Sequence, residues 1–404
     1  MAQDCFSGPR MAAPVHSERY ETQGPRILIG VYEPPGWGGA STVAYRLHQR
    51  LLERGQTSGL VLLLDPEHLD FYRLKLGPEF ANPHRLESVF TAPLVVSKVA
   101  EVARSWSPDV LVAVGWLAAN ALKRAAPELP CVLRADGLGQ ARYWLEKALL
   151  SWPAGPPVKT AVDLIRLLSS KYADLRLPVH GGEPNAVERS DYILAPSPLI
   201  RDLFLRFFPV SEGKMAQQPL WVAPLCRAEA ETFAAMHRPL GERSVDVLFS
   251  ASLWSRWEKN FALIPPTLRL LPSDCRVHVA GDLSLRQRKA LGPRVVAHGL
   301  LSRSEHYELL GKSRCVAVPS VFDAAPGLIF EAASMGCETV SSPNCGNFEV
   351  CAPDAQVRDL EPDSFARAIL ASLGSGRPRP EQRLEPFCAH DFTTEILEVC
   401  EALL

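Results

Sequence analysis

The chain has 404 residues, 47% of them hydrophobic, which is more than one ordinary core requires and is enough for two domains. A formal net charge of −2 excludes a strongly basic protein whose main partner is nucleic acid. No apolar run reaches the roughly 20 residues of a membrane-spanning helix, and residues 1–23, which lack the apolar core of a signal peptide, are predicted to form a flexible tail.

Short apolar runs alternate with helical patterns through the first half of the chain. The predicted strands of this half are residues 26–32, 60–64, 109–114, 131–134 and 192–195. A helix is predicted over residues 40–54, because its apolar residues recur at helical spacing and Gly55 follows it. The alternation predicts right-handed crossovers and a parallel sheet that is covered on both faces.

The pattern starts again after residues 209–242, a stretch with several prolines and glycines that is predicted to be a linker. The predicted strands of the second half are residues 245–250, 276–280, 295–297, 315–319 and 338–341, with helices over 260–271 and 304–312. We therefore predict an α/β protein of two doubly wound Rossmann-like domains that face each other across a cleft. The predicted units are a first Rossmann-like domain (24–215), a second Rossmann-like domain (216–390) and a C-terminal helix that returns to the first domain (391–404).

The ten cysteines and ten histidines are dispersed, and none of them has the spacing of metal ligands. Buried, reduced thiols are typical of a cytoplasmic protein, which is the location that we predict. No Asp-x-Asp pair stands in a suitable loop, so the sequence predicts neither a metal nor another cofactor.

Two acidic residues eight positions apart, Asp323 and Glu331, flank a Pro-Gly pair and a short apolar run. We predict that Asp323 lies on a loop and that Glu331 lies in the first turn of a helix ending at Gly336. Amides at a helix start favour phosphate, and a carboxylate can accept hydrogen bonds from the hydroxyls of a ribose. Each acid also has a simpler interpretation. Asp323 would be a turn residue that bonds its own backbone, and Glu331 would be a carboxylate that interacts with the helix dipole.

Two basic residues follow the strand predicted at 245–250. Lys259 and Arg256 would neutralise the diphosphate of a nucleotide sugar, or they are charges of a solvated loop. The amides near Gly327 and Leu328 could contact the sugar or the phosphate, because glycine lets a ligand approach the backbone closely.

The first half adds further candidates. Gly38 and Gly39 follow the first strand and permit a loop that touches the donor phosphate or the acceptor, and Trp37 either closes over a sugar or packs. Asp136 is a candidate for positioning the acceptor hydroxyl or acting as a base, or else it is a turn residue before a glycine. In the second half, Glu349 either binds donor hydroxyls or caps its own loop.

These motifs resemble those of the retaining glycosyltransferases of family 4, which have the GT-B fold. Residues 323–331 resemble their Glu-x7-Glu motif, and residues 245–260 resemble their strand and basic loop for the donor diphosphate. Three shorter segments of this chain also resemble family segments. Residues 36–42 resemble the Gly-Gly loop, residues 298–302 the segment before the donor strand, and residues 345–349 the Gly-rich loop that ends in Glu. The resemblance covers residues 24–404 and implies sugar transfer, with retention of configuration, from a nucleotide sugar to a hydroxyl of a saccharide or lipid-linked acceptor.

The sequence departs from the family pattern at three positions. The first motif acid is Asp323 rather than Glu, position 254 is Trp rather than Arg, and no His stands beside Asp136. These differences keep open a non-catalytic sensor or scaffold that binds nucleotide sugars. An oxidoreductase that uses a dinucleotide is disfavoured, since no Gly-x-Gly-x-x-Gly follows the first strand. Residues 141–176 are predicted to be helical and either pack on the first domain or contact a membrane surface.

Overall fold

The structure is a computed structural model that describes residues 24–31, 39–63, 93–136, 182–215, 233, 235–342, 344–374 and 392–404. The predicted tail (1–23), Trp37, Gly38 and the helical segment 141–176 lie outside these residues. Among the helices in the described ranges, none has the length and the apolar character that crossing a membrane requires.

The first half contains a five-stranded sheet in which all described pairings are parallel. Its strands are β1 (Ile27–Val31), β2 (Ser58–Leu62), β3 (Val110–Val114), β4 (Cys131–Arg134) and β5 (Tyr192–Leu194). Their order in the sheet is β2–β1–β3–β4–β5. Ile27 lies opposite Ser58 on one side and Val110 on the other, so β1 is a central strand.

Helices cover both faces of this sheet. They are α1 (Gly39–Glu53), α2 (Pro93–Trp106), α3 (Trp116–Ala125), α4 (Glu183–Arg189) and α5 (Pro198–Phe207). Alternate residues of β1 enter different cores: Ile27 and Ile29 pack with α1, whereas Leu28 packs with α2 and α3. The continuous apolar strands follow from this burial on both faces.

The second half repeats this plan with another fully parallel sheet. Its strands are β6 (Val245–Leu253), β7 (Val277–Asp282), β8 (Val295–Gly299), β9 (Ser313–Val318) and β10 (Glu338–Ser341), in the order β10–β9–β6–β7–β8. The helices are α6 (Ile264–Leu270), α7 (Leu285–Leu291), α8 (Arg303–Gly311), α9 (Gly327–Ser334) and α10 (Pro362–Leu373). Val247 and Phe249 face the core under α6 and α10, and Leu248 faces the core under α8 and α9.

The helix predicted over residues 260–271 begins later than expected. Asn260 has left-handed backbone geometry, with φ of 54°, and a 3-10 turn over Phe261–Leu263 separates it from α6. Two prolines stand in the first turn of α6, where their missing N–H groups cost no helical hydrogen bond. The prolines therefore fix the start of α6, which the apolar spacing alone does not show.

The last helix, α11 (Phe392–Ala402), lies against the first half of the molecule. Phe392, Ile396 and Cys400 are buried in the same core as the β1 and β3 side chains. At its first turn, Arg54 donates a hydrogen bond from Nη1 to Thr394 Oγ1 at 2.8 Å. The chain thus leaves the second half after α10 and ends on the first sheet.

A buried arginine ties α9 to the second sheet. Arg243 is 3% exposed, and its guanidinium donates hydrogen bonds to the carbonyl oxygens of Ser313, Met335 and Gly336 at 2.6–2.9 Å. Met335 and Gly336 follow the last turn of α9, where free carbonyls attract a cation. Arg243 therefore satisfies the C-terminal end of α9 and holds it beside the start of β9.

Replacing Arg243 by methionine should lower the free energy of unfolding by about 3 kcal/mol, because three buried carbonyls lose charged donors. The exposed Arg238, which offers its carbonyl to Arg243, provides the matched control. Urea denaturation should show a change of at most about 0.5 kcal/mol for Arg238→Met. Equal midpoints for the two variants would contradict this role.

Candidate functional site

The candidate site lies where the strand order of the second sheet reverses. β6 has β7 on one side and β9 on the other, so the chain connections leaving these strands diverge. Ligands of open parallel sheets bind beyond the carboxyl ends of the strands at such a reversal. The segments that follow β6 and β9 carry Lys259 and Asp323, two of the residues predicted from sequence.

Lys259 and Asp323 form an ion pair at this edge, with 2.5 Å between Lys259 Nζ and Asp323 Oδ2. Their side chains are 22% and 19% exposed, so the pair is partly shielded but open to a ligand. A cation and a carboxylate held together here could bind a diphosphate and face a sugar, respectively.

Backbone contacts explain why these two loops meet. The Asn260 side chain donates from Nδ2 to the Pro319 carbonyl at 3.0 Å, and the Val321 amide donates to the Glu258 carbonyl at 2.8 Å. Asparagine tolerates the left-handed geometry that residue 260 adopts. The loop after β6 is therefore fixed against the loop after β9, and Lys259 is positioned by its neighbours.

The loop places the other candidates differently. Trp254 is 2% exposed, donates from Nε1 to the Ala280 carbonyl at 2.9 Å and packs edge-on against Phe261. Position 254 is therefore part of the core. Arg256 is 44% exposed and forms an ion pair with Glu258, with 2.5 Å between Nη2 and Oε1. Arg256 thus lies at the rim of the loop that carries Lys259.

The prediction that Glu331 opens its helix is wrong. α9 begins at Gly327 with Pro326 as its N-cap, so Glu331 lies in the second turn. A Pro-Gly pair is typical of a turn, but here the helix continues directly from it. The amides of Gly327 and Leu328 head the helix, and a Cβ at Gly327 would meet no atom within 4 Å. Open space therefore lies beside Gly327. Because Glu331 is not in the first turn, an interaction with the helix dipole no longer accounts for it.

Arg46 of α1 reaches Glu331 from the other half of the molecule. Its Nη2 lies 3.1 Å from Glu331 Oε1, and the two side chains are 9% and 16% exposed. The residues are 285 positions apart in the chain. Sequence patterns gave no indication of this contact, because Arg46 belongs to an ordinary amphipathic helix.

The first turns of α8 also face Glu331. Ser250 Oγ lies 2.9 Å from His306 Nε2, and burial lowers the pKa of His306 while the nearby Glu331 opposes that shift. Burial and the Glu331 charge both raise the pKa of Tyr307. Neither aromatic residue was predicted, and the only sequence signal is their position after the segment at 298–302.

The glycine-rich loop at 345–349 lies beside the motif acid. The Gly346 amide donates to the Asp323 carbonyl at 2.9 Å, and the Asp323 amide donates to the Asn344 carbonyl at 3.0 Å. Asn347 donates from Nδ2 to the carbonyl of the α9 N-cap at 3.0 Å. Glu349 has an exposed side chain, yet partial desolvation by the surrounding protein raises the pKa of its carboxyl. The loop therefore fixes both the motif acid and the helix start.

The two halves meet closely beside this loop. Ser197, the N-cap of α5, donates from Oγ to the Ala324 carbonyl at 2.7 Å, and both residues are buried. A Cβ at Gly346 would overlap that carbonyl oxygen and the Ser197 side chain. Position 346 therefore requires glycine for the halves to approach as they do.

The described predicted residues of the first half are Asp136 and Gly39. Asp136 forms an ion pair with Arg134, whose guanidinium lies 6.0 Å from the Phe392 ring centroid. Burial lowers the pKa of Arg134 to about 9. No described contact joins Asp136 to Lys259 or Asp323. Gly39 is the first residue of α1, where an added Cβ would meet nothing within 4 Å.

The described cysteines carry free thiols, six of them buried: Cys131, Cys315, Cys337, Cys345, Cys351 and Cys400. Cys345 lies next to the site, where burial raises the pKa of its thiol to about 12 and makes it a weak nucleophile. In the part of the chain that the structure describes, no three His, Cys, Asp or Glu residues are grouped as metal ligands would be.

Comparison with solved structures identifies the architecture. Sucrose-phosphate synthase from Thermosynechococcus elongatus superposes with a TM-score of 0.66 at 16% identity, over 94% of this chain and 99% of that one. The chain has the GT-B fold. Anabaena HepE in complex with UDP-glucose gives a TM-score of 0.58 at 16% identity, covering 94% of this chain and 99% of its own. Trehalose-phosphate synthase from Burkholderia xenovorans, in complex with glucose-6-phosphate, gives 0.59 at 14% identity, with 94% and 100% covered.

Sequence comparison adds a match in the second half alone. A family model described as Glycosyl transferases group 1 matches residues 244–375, from β6 to just beyond α10. A search among curated proteins finds no match. The matched residues include Lys259, Asp323 and Glu331, so the similarity coincides with the candidate site.

Adding a methyl group at Gly346 should push the two halves apart. The overlapping Ala324 oxygen belongs to the backbone, so it cannot move away as the end of a flexible side chain could. Gly346→Ala should lower the free energy of unfolding by about 2 kcal/mol, as overpacking does. Gly241→Ala is the control, since a Cβ there meets nothing within 4 Å. The free energy of unfolding is measured by urea denaturation. Equal values for Gly346→Ala and Gly241→Ala would contradict the close approach of the two halves.

Proposed function

We propose that the protein is a glycosyltransferase that moves a sugar from a nucleotide-sugar donor to an acceptor hydroxyl with retention of anomeric configuration. The observation that carries this proposal is the convergence of Lys259, Asp323 and Glu331 at the strand reversal of the half matched by the family model. The GT-B fold and the resemblance to family 4 support it.

The donor diphosphate is assigned to Lys259 and to the amides of Gly327 and Leu328 at the head of α9. A helix start supplies N–H donors and a positive dipole end, both of which favour phosphate. Arg256 contributes from the rim of the loop, and Gly38 and Gly39 would close the site from the first half. No metal is invoked, since these groups can neutralise the leaving diphosphate.

The nucleoside ribose is assigned to Glu331, whose carboxylate faces the cleft one turn beyond the phosphate donors. Paired hydroxyls can share the lone pairs of one carboxylate. Glu349 is a further candidate for donor hydroxyls. Solved structures with this fold include HepE bound to UDP-glucose, which makes uridine donors the first to test here.

Asp323 would face the transferred sugar. In the structure it neutralises Lys259 at 2.5 Å. When the donor diphosphate takes over Lys259, the Asp323 carboxylate becomes free to stabilise positive charge at the anomeric carbon. The ion pair thereby compensates both charges when no donor is bound.

The acceptor proton needs a base, and Asp136 is poorly suited because Arg134 already neutralises it. In front-face attack, the acceptor oxygen bonds to the anomeric carbon as the carbon–phosphate oxygen bond breaks. The departing diphosphate oxygen then takes the acceptor proton, so that no protein base is required. Asp136 keeps the role of a positioning residue on the acceptor side.

The acceptor is assigned to the first half, as a hydroxyl of a saccharide or a lipid-linked sugar. Trehalose-phosphate synthase, which shares the fold, was solved with glucose-6-phosphate. Sugar phosphates are therefore reasonable first acceptors to test. We propose a cytoplasmic enzyme in which closing of the halves limits hydrolysis of the donor.

A non-catalytic protein that binds nucleotide sugars is the second candidate. The neutralised Asp136 and the shorter acid at position 323 favour it. Binding of a nucleotide sugar without hydrolysis or transfer to any acceptor would decide for this alternative.

A nucleotide sugar at 100 times its dissociation constant should stabilise the protein by about 2.7 kcal/mol. Glu331→Ala should abolish that stabilisation, because the ribose loses its acceptor, whereas Glu308→Ala should retain it. Glu308 is an exposed acid of α8 paired with Lys312 and serves as the matched control. Thermal-shift measurements with UDP-, GDP- and ADP-glucose test this, and an unchanged shift in Glu331→Ala would refute the ribose assignment.

Lys259→Met should lower kcat by about 100- to 1,000-fold, because the leaving diphosphate loses its principal side-chain cation. Lys312 is the C-cap of α8 and its side chain is 33% exposed. Lys312→Met removes the same charge away from the site and should leave kcat unchanged. Transfer assays with a radiolabelled donor sugar measure both variants. Full turnover in Lys259→Met would refute the diphosphate assignment.

A further inference from the structure

We propose that Arg46 is a positioning residue of the donor site, which acts through Glu331 on the ribose of the nucleotide. The inference rests on the proposed function, because that function gives Glu331 its ligand. It adds a side chain from the first half of the molecule to the ribose part of the site, whose other assigned residues belong to the second half.

The contact between Arg46 and Glu331 leaves the carboxylate able to bind hydroxyls. The described distance of 3.1 Å joins one guanidinium nitrogen to one carboxylate oxygen, Oε1. A carboxylate has about four lone-pair positions, so the remaining ones can accept the two hydroxyls of a ribose. A single charged hydrogen bond therefore orients Glu331 without saturating it.

Arg46 is also the cation that the described contacts assign to Glu331. Arg303 lies on α8 nearby, but it donates from Nε to the Tyr307 hydroxyl at 2.6 Å and stacks on that ring at 5.4 Å. His306 faces Ser250, and burial lowers its pKa and favours its neutral form. The side chains of Arg46 and Glu331 are 9% and 16% exposed, so both charges are partly desolvated. The ion pair offsets part of the cost of that desolvation.

The position of Arg46 links ribose binding to closure of the cleft. Arg46 lies on α1 and contacts the second half through Glu331. The ion pair exists only while α1 and α9 are close together. A ribose that depends on an oriented Glu331 therefore binds best to the arrangement in which the two halves are closed.

The test compares a ribonucleoside diphosphate with its 2′,3′-dideoxy counterpart, measured by titration calorimetry on the full chain. UDP, GDP and ADP are screened first, and the tightest binder of the wild-type protein is used. We expect the wild type to favour the ribonucleotide by about tenfold. Glu331→Gln and Arg46→Met should each reduce this preference to nearly one, and the double variant should reduce it no further.

Arg50→Met is the matched control, since it removes the same charge from the same helix one turn away and should keep the tenfold preference. Arg46→Lys retains a cation and should restore part of the preference, which keeps the test valid if Arg46→Met folds poorly. A purely structural role of Arg46 would weaken both nucleotides alike and leave their ratio unchanged.

Each outcome distinguishes the inference from the function on which it rests. A wild type that binds none of the three diphosphates would overturn both. Binding without preference for the ribose form would overturn the assignment of Glu331. A full preference in Arg46→Met, together with its loss in Glu331→Gln, would overturn the inference alone.

Discussion

The ion pair between Lys259 and Asp323 depends on a single topological constraint, the reversal of strand order between β6 and β9. Two loops that are 64 residues apart in sequence meet there because neighbouring parallel strands end at one edge. The hydrogen bonds of Asn260 and Val321 then fix the loops against each other. The sheet brings the two loops together and these hydrogen bonds fix their backbones, so Lys259 and Asp323 extend from fixed positions.

Charges in the cleft are paired with each other in the structure. Lys259 neutralises Asp323, and Arg46 neutralises Glu331 across the two halves. In the proposed function, the diphosphate replaces Asp323 as the partner of Lys259, whereas the ribose hydroxyls bind to a Glu331 that stays paired with Arg46. Much of the desolvation cost of these groups is then already met in the folded protein.

The strands could be predicted from sequence because burial on both faces makes each one a continuous apolar run, as in β3. The same burial makes α3 hard to recognise, because every residue from Leu117 to Leu122 is buried and its charged residues, Lys123 and Arg124, come only in the last turn. The local motifs placed Lys259 and Asp323 in one crevice, but the start of α9 was missed because Pro326 and Gly327 also suit a turn. Arg46 could not be found, since its role comes from a contact between distant halves.

Two of the described contacts between the halves respond differently to their surroundings. Ser197, Ala324 and Gly346 meet by buried hydrogen bonding and steric fit, which salt hardly affects. The pair of Arg46 and Glu331 is electrostatic and partly exposed, so salt weakens it. Ionic strength therefore changes the second contact and leaves the first nearly unchanged. Under the proposed function, donor affinity depends on ionic strength through Arg46, although this residue lies in the half opposite the nucleotide.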